Sequence, residues 1–339
     1  MKPNKTITKE GLALSRRSKQ EIGEITNVVY VKPFEDPDHE QPTRDFAKSL
    51  VPYLVLSVAP LCWAGNIVLA RGVADVIPPV AFAFWRWTLA FILILPFTRR
   101  QMARDWREIT RRWKMLFLLA VLGISSFNTL LYTAVHTTTA INGSLIQSSM
   151  PAVIVLLSLV LYREKISMRQ MIGVLLCIVG ACLIVLRGDL KTLLNLSFVQ
   201  GDLLMIVAVV LYGLYSALLR RRPAVHPLSF LTATFFLGAA GLLPVYLAEL
   251  AAVGPFVLSR NIVASILYVA VFPSIAAYFC WNKGVDAVGP NRAGLFINLI
   301  PVFASLLSVG LLGELIRGFH IAGMSLIFIG MAMFYLARA

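Results

Sequence analysis

The chain has 339 residues, of which 58% are hydrophobic and only 14% are charged, and its formal net charge is +14. This composition leaves too little polar surface to cover a water-soluble globule of this size, which excludes an ordinary soluble domain. The four cysteines fall in hydrophobic blocks without metal-ligand spacing, and the basic residues lie beside these blocks, so neither a metal site nor nucleic-acid binding is expected.

The first 48 residues differ from the rest of the chain. They carry many charges of both signs, three prolines and little hydrophobic periodicity. Such a segment cannot bury enough apolar surface to fold alone, so we predict a flexible cytoplasmic tail over residues 1–48. The first apolar block begins only near Leu50 and is long enough to stay in the membrane, so no cleaved signal peptide is expected.

Apolar blocks of about 20 residues follow, each long enough to cross about 30 Å of hydrocarbon as a helix. A β-barrel would require alternating apolar and polar residues, whereas residues 171–186 are apolar on every face. The sequence therefore predicts an all-α integral membrane fold with ten transmembrane helices. These spans, numbered 1 to 10, cover about residues 50–70, 79–97, 115–134, 142–161, 169–186, 202–219, 228–248, 262–282, 290–311 and 318–336.

Charges in the connecting loops predict the orientation of the chain. With the N-terminus in the cytoplasm, most loop Lys and Arg residues fall on the cytoplasmic side, as the positive-inside rule requires. We therefore predict a multi-pass protein of a bacterial inner membrane with both termini in the cytoplasm. The largest basic cluster is expected to contact anionic lipid headgroups. It lies in the predicted loop after span 2 and contains Arg99, Arg100, Arg104, Arg107, Arg111, Arg112 and Lys114.

The two halves of the chain repeat each other. A shift of 150 residues superposes identical residues without a gap. The pairs are Pro151 and Pro301, Ser158 and Ser308, Glu164 and Glu314, Gly173 and Gly323, and Gly180 and Gly330. Because five spans is an odd number, the second copy enters the membrane from the opposite side. We predict two inverted five-helix repeats over residues 49–187 and 200–337, an arrangement typical of alternating-access transporters.

Several short motifs resemble a known family. Span 1 contains the run Trp-Ala-Gly-Asn at residues 63–66, span 2 contains Arg86, and each half has a Pro, a Glu thirteen residues later and two further glycines. The chain resembles EamA-type members of the drug/metabolite transporter superfamily over about residues 50–336. This resemblance implies a ten-helix inverted-repeat fold and the movement of small metabolites, often amino acids or related compounds and frequently outward. Thr234 lies roughly where Arg86 would recur, so a site around Arg86 is expected to be asymmetric.

Small and polar residues follow one stripe of span 9 and the matching stripe of span 4. Each stripe contains a proline, Pro151 or Pro301, which frees a backbone carbonyl that water, a side chain or substrate must satisfy. Ser148 and Asn298 are therefore candidates for the wall of a central cavity. Helix packing is the alternative, and it is stronger for Ser158 and Ser308 because they lie nearer the span ends.

Aromatic residues with polar tips recur at repeat-related places inside the spans. Such rings can form a mid-membrane sieve for amphipathic solutes, whereas rings near span ends more often belong to the interfacial belt. The interfacial alternative is stronger for Trp281, at the predicted end of span 8. The aromatic and amide candidates for the cavity are Trp63, Asn66, Asn128, Tyr132, Tyr212, Tyr215, Tyr278 and Trp281.

Arg86 is the only charged residue well within a predicted span, and no mid-span Asp or Glu can pair with it. Its partners must be backbone carbonyls, polar side chains such as Asn or Tyr, or a substrate carboxylate, and we favour a structural or gating role. Glu164 and Glu314 end spans 4 and 9. We predict that they close the two sides of the pore by binding loop amides or the next helix N-terminus, with proton coupling as the alternative.

No sequence pattern supports enzymatic chemistry, a metal or a cofactor. The leading hypothesis is a secondary transporter that exports small polar or amphipathic metabolites through a cavity between spans 1, 3, 4, 6, 8 and 9. Its expected partners are a small-molecule substrate and the lipid bilayer, and a homodimer is compatible with the sequence but not required. The rival hypothesis is a membrane scaffold or sensor whose tail recruits a partner, and deletion of residues 1–48 distinguishes the two.

Overall fold

The computed structural model describes residues 50–138, 140–195, 198–312 and 315–337, and all regular structure in these ranges is helical. The predicted all-α architecture is therefore confirmed. The predictions for the tail of residues 1–48 and for Glu314 lie outside the described residues, as does the side chain of Ser308.

Nine helical segments of the described residues are long and apolar enough to cross a membrane, and the apolar stretch Val51–Asn66 of the first helix is shorter. These ten segments correspond to the ten predicted spans. In order, they are Val51–Val73, Pro79–Arg111, Trp113–Ala134, Asn142–Tyr162, Met168–Val185, Gln200–Arg221, Pro227–Val253, Arg260–Val288, Pro290–Leu307 and Gly318–Leu336. A short helix, Leu190–Leu194, which the sequence pattern did not predict, lies between spans 5 and 6.

The predicted loop after span 2 is wrong, because the helix continues through most of the basic cluster to Arg111. Hydrophobicity ends near residue 97, but Arg, Gln, Met and Glu are strong helix formers and sustain the helix outside the apolar region. Glu108 supports this extension by pairing with Arg111 at 2.5 Å and with Arg112 at 3.6 Å. The basic cluster therefore lies along a projecting helix rather than in a loop.

Spans 3 and 8 each contain a six-residue π-helical turn, Val121–Ser126 and Val271–Ala276. The two turns begin 150 residues apart, so the internal repeat extends to a local irregularity of the backbone. A π-turn widens the helix and commonly marks a functional site, because it changes which partners the backbone carbonyls meet.

Spans 4 and 9 are interrupted just before their repeat-related prolines. Span 4 consists of Ala140–Ser148 and Met150–Tyr162, and Pro151 follows the break. Span 9 passes through a 3-10 turn, Leu295–Asn298, before Pro301. A proline has no N–H group, so neither residue can donate a hydrogen bond to the carbonyl four residues earlier.

Spans 5 and 10 cross with their backbones in contact. A Cβ atom added at Gly173 would lie 2.6 Å from the Gly330 carbonyl oxygen, and one added at Gly180 would lie 2.6 Å from that of Gly323. Between these contacts, Cys177 donates a hydrogen bond of 3.4 Å to the carbonyl of residue 327. Residues 177 and 327 are themselves 150 apart, so the pseudo-twofold axis of the repeats passes between them.

We predict that Gly180→Ala destabilises the protein, because the new methyl group would force apart two helix backbones. Overpacking of this kind costs about 1–3 kcal/mol, and the melting temperature in detergent should fall by several degrees. Gly72→Ala is the matched control, since an added Cβ there meets no atom within 4 Å. Equal melting temperatures for the two variants would contradict the close crossing of spans 5 and 10.

Candidate functional site

A central cavity lies between the two repeats, with walls from spans 1, 3, 4, 6 and 9. Its volume is about 20 Å³, which is room for about one water molecule. All of its lining side chains are uncharged, and three of them are carboxamides. The lining residues are Trp63, Asn66, Phe127, Asn128, Leu131, Gln147, Met150, Tyr212, Ile297 and Ile300.

Five of the six aromatic candidates form one cluster, and two of them, Trp63 and Tyr212, line the cavity, whereas Tyr132 packs on Phe82. The ring centroid of Trp63 lies 5.8 Å from Tyr212, 6.1 Å from Tyr278 and 5.4 Å from Trp281. Tyr215 joins the cluster through Tyr212, at 5.4 Å. Trp281 is fully buried, so the interfacial alternative is wrong for it. The reason is that its ring faces the interior of the bundle, where its centroid also lies 6.0 Å from that of Tyr212.

Arg86 is only 1% exposed, and its guanidinium is surrounded by hydrogen-bond acceptors from spans 1, 3 and 8. Its bonds are to Ser274 Oγ at 2.6 Å, Asn66 Oδ1 at 3.1 Å, Asn128 Oδ1 at 2.8 Å, Tyr132 OH at 2.5 Å and the Pro273 carbonyl at 2.9 Å. The guanidinium carbon also lies 4.6 Å from the centre of the Trp87 ring. One side chain of span 2 thus connects both repeats, and its partners are of the types predicted from the sequence.

The π-turns supply carbonyl acceptors at equivalent places in the two repeats. In span 8, the Pro273 carbonyl accepts from Arg86 and also from Trp63 Nε1, at 3.1 Å. In span 3, the equivalent Gly123 carbonyl accepts from the Tyr278 hydroxyl. Thr234, near the place where Arg86 would recur, instead bonds with carbonyls of its own helix. The two repeats therefore share the π-turn, but its carbonyl accepts hydrogen bonds from different side chains in each repeat.

Other predicted residues lie in or beside this network. Tyr132 donates to Asn66 Oδ1 at 2.9 Å, within the Arg86 network. Ser148 donates to the Ser144 carbonyl at 2.8 Å and does not line the cavity, where Gln147 takes its place. Asn298 is 1% exposed, and neither its Oδ1 nor its Nδ2 atom has a hydrogen-bond partner among the described residues.

The sequence analysis missed six lining residues. Gln147 and Ile297 could have been found, because they are the residues four positions before Pro151 and Pro301, whose carbonyls cannot receive a proline N–H. For the others, an apolar side chain at a cavity and one facing lipid give the same sequence pattern. These others are Phe127, Leu131, Met150 and Ile300.

A group of charged and polar residues, here called the end cluster, joins helix ends on one side of the bundle. Glu164 accepts hydrogen bonds from Arg220, at the end of span 6, and from Asn291 Nδ2, in span 9, at 2.7 Å. The prediction that Glu164 binds loop amides or the next helix N-terminus is wrong. The reason is that Ser167 and Gln170 already form a capping box at the start of span 5.

The end cluster also includes Arg222 and Asp286, which pair at 2.5 Å and connect the segment after span 6 to span 8. At the opposite ends of the helices, carboxylates occupy helix starts, where the helix dipole favours an anion. Glu249 accepts from the backbone N–H groups of Val80 at 3.0 Å and Ala81 at 2.7 Å. Asp202 similarly accepts from the Val199 N–H at 2.9 Å.

Comparison with known proteins identifies similar chains. The model of the EamA-like transporter family matches residues 50–186 and 199–336. The chain is 28% identical to "Uncharacterized transporter YyaM" of Bacillus subtilis, over 84% of this chain and 93% of that protein. It is 28% identical to an "Uncharacterized transporter" of Archaeoglobus fulgidus, over 77% of this chain and 89% of that one.

Two further comparisons concern a named relative and the fold. The chain is 29% identical to "Protein PecM" of Dickeya dadantii, over 64% of this chain and 71% of that protein. A solved crystal structure aligns with a TM-score of 0.68 and 19% identity, over 84% of this chain and 98% of that one. The structural match supports the ten-span fold, and the family match confirms the resemblance found in the sequence.

We predict that Arg86→Ala prevents stable folding, because it leaves buried acceptors from three spans unpaired. Each unpaired acceptor costs about 1–3 kcal/mol, so little monodisperse protein should survive size-exclusion chromatography. Arg86→Lys should be intermediate, since an ammonium keeps the charge but has only three donors. Arg104→Ala, on the exposed part of span 2, is the control. Normal yield and melting temperature for Arg86→Ala would refute the structural role of the network.

Proposed function

Because the chain belongs to the EamA-like transporter family, which is a family of membrane transporters and not of enzymes, we propose that it exports small polar or amphipathic metabolites by alternating access. The observation that supports this substrate class is the composition of the cavity wall. Its described residues combine aromatic rings with three carboxamides and include no charged side chain. The outward direction, the bacterial inner membrane and the cytoplasmic termini are part of the proposal and rest on the family resemblance and on the loop charges.

The proposed mechanism is an exchange between two arrangements of the repeats. A cavity of about 20 Å³ holds no metabolite, so a solute can enter only after the repeats move relative to each other. Inverted repeats allow this, because the two can exchange conformations and so open the same site to opposite sides. The close crossing of spans 5 and 10, on the pseudo-twofold axis, is a suitable pivot for such motion.

We further propose that the end cluster is the gate on the cytoplasmic side, while Arg86 has a structural role. Glu164 connects span 4 to Arg220 and to span 9, so the cluster must separate before the cavity can open at this end. The N–H groups of Arg86 already donate to protein acceptors. A direct hydrogen bond from Arg86 to a substrate is therefore less favourable, because it would have to replace one of these bonds. A scaffold or sensor remains the rival function, but membership of a transporter family favours transport.

The first test is solute flux in proteoliposomes, beginning with a screen of amino acids and related metabolites. We expect Trp63→Ala to reduce flux about tenfold or more, because a large ring is lost from the wall, and Asn298→Ala to reduce it as well. Matched controls are Trp85→Ala, on the exposed surface, and Asn195→Ala, at an exposed helix end. Unchanged flux in folded Trp63 and Asn298 variants would remove both residues from the site.

The gate is tested with Glu164→Gln, which keeps the shape of the side chain but removes its charge pair with Arg220. Ser216→Cys, buried on span 6, reports access when the four native cysteines are replaced by alanine. A membrane-impermeant maleimide added from the cytoplasmic side should label this cysteine about two- to fivefold faster, since a partly exposed pair contributes up to ~1 kcal/mol. Glu108→Gln is the control, and an unchanged rate in Glu164→Gln contradicts the gate.

A further inference from the structure

The cavity wall offers more hydrogen-bond donors than acceptors. Both Asn66 and Asn128 direct their Oδ1 atoms to the same nitrogen of Arg86, Nη1. Because an arginine can only donate, this contact fixes which end of each amide faces the guanidinium. The Arg86 network therefore uses the acceptor ends of both amides and leaves their N–H ends outside it.

These N–H groups are available in the cavity wall. Among the described residues, Asn66 accepts hydrogen bonds through Oδ1 from Arg86 and Tyr132, and the Nδ2 atom of Asn128 makes a long contact of 3.5 Å to the Tyr278 hydroxyl. Tyr212 also lines the cavity, and its hydroxyl is buried and has no partner in the described part of the chain. Gln147 adds one carboxamide with both a donor and an acceptor, so the polar part of the wall offers more donors than acceptors.

Arg86 forms hydrogen bonds with neutral acceptors and no ion pair with an acidic side chain of the described residues. All its recorded acceptors are neutral amide, hydroxyl and carbonyl oxygens, and no Asp or Glu of the described residues pairs with it. A buried cation of this kind attracts an anion to the nearest accessible donors. Those donors are the amides of Asn66 and Asn128, which lie between the guanidinium and the cavity.

The rest of the cavity wall is aromatic or apolar and suits the apolar part of a solute. Trp63, Phe127 and Tyr212 present rings to the cavity, and the Phe127 and Tyr212 centroids are 4.6 Å apart. No acidic side chain of the described residues lines the cavity to hold an ammonium group, and the positive charge of Arg86 would repel one. The site therefore favours an acid over an amine or a zwitterion.

We propose that the substrates are small monocarboxylates with an aromatic or apolar body, whose carboxylate binds the N–H groups of Asn66 and Asn128 in the cavity wall. Arg86 acts as a positioning residue that orients both amides and supplies the attracting charge without touching the solute. This inference rests on the proposed transport function and specifies the substrate class of the same cavity.

The first experiment compares three probes with the same body and different heads, using the full-length wild-type protein. Tryptophan fluorescence of reconstituted protein is titrated with phenylacetate, phenylacetamide and phenethylamine. We expect phenylacetate to bind at least about tenfold more tightly than the neutral amide, and phenethylamine to bind most weakly. Equal affinities, tighter binding of the amine, or no binding of phenylacetate would overturn the proposal, and this comparison needs no variant.

The second experiment uses Asn66→Asp, which keeps an acceptor for Arg86 but removes the N–H donors and neutralises the uncompensated charge. Phenylacetate affinity should fall at least about tenfold, while phenylacetamide affinity should change less than about threefold. Asn195→Asp, at an exposed position, is the matched control and should affect neither probe. An equal loss for both probes would indicate general damage to the pocket and would count against the carboxylate site.

The two proposals fail in different ways. If the solute screen finds flux of neutral or cationic compounds but the protein does not prefer phenylacetate, the carboxylate site is wrong and the transport function stands. If phenylacetate binds as expected but no solute crosses the proteoliposome membrane, the site stands and the transport function is wrong.

Discussion

The burial of one guanidinium is the constraint on which the centre of this protein depends. A charge inside a membrane protein is costly unless its donors find acceptors, and Arg86 is 1% exposed. Its acceptors come from spans 1, 3 and 8, so the positions of four helices are fixed together. The same contacts orient the amides of the cavity, so the polarity of the wall follows from the way in which a structural charge is satisfied.

The two repeats share their backbone geometry but differ in the side chains that bind it. The π-turns of spans 3 and 8 lie 150 residues apart, and each offers a carbonyl to a side chain from elsewhere in the bundle. The Pro273 carbonyl accepts from the Arg86 guanidinium, whereas the Gly123 carbonyl accepts from the Tyr278 hydroxyl. Exchange of conformations between the repeats is therefore geometrically available, but the two resulting states cannot have equal energies. A bias of this kind gives a transporter a preferred resting state.

The sequence predicts the fold well because its determinants are local or periodic: apolar blocks, loop charges and repeated Pro and Gly residues. It also predicts the types of partner that Arg86 requires. It does not predict which carbonyl is used, because Pro273 is available only through a π-turn that no composition rule indicates. The end of span 2 was wrong, because a helix of polar residues continues past the apolar block to Arg111.

Trp63 and Tyr212, which both line the cavity, contact each other with ring centroids 5.8 Å apart. On the proposed mechanism, opening the site replaces such ring–ring contacts with ring–solute contacts, so much of the apolar contribution is retained. The polar groups behave differently. The Tyr212 hydroxyl and the Asn298 amide are buried without partners in the described part of the chain, a costly arrangement that water or solute would relieve. On the proposed mechanism, occupation is therefore favoured by these polar groups, while the Asn66 and Asn128 amides select for a carboxylate.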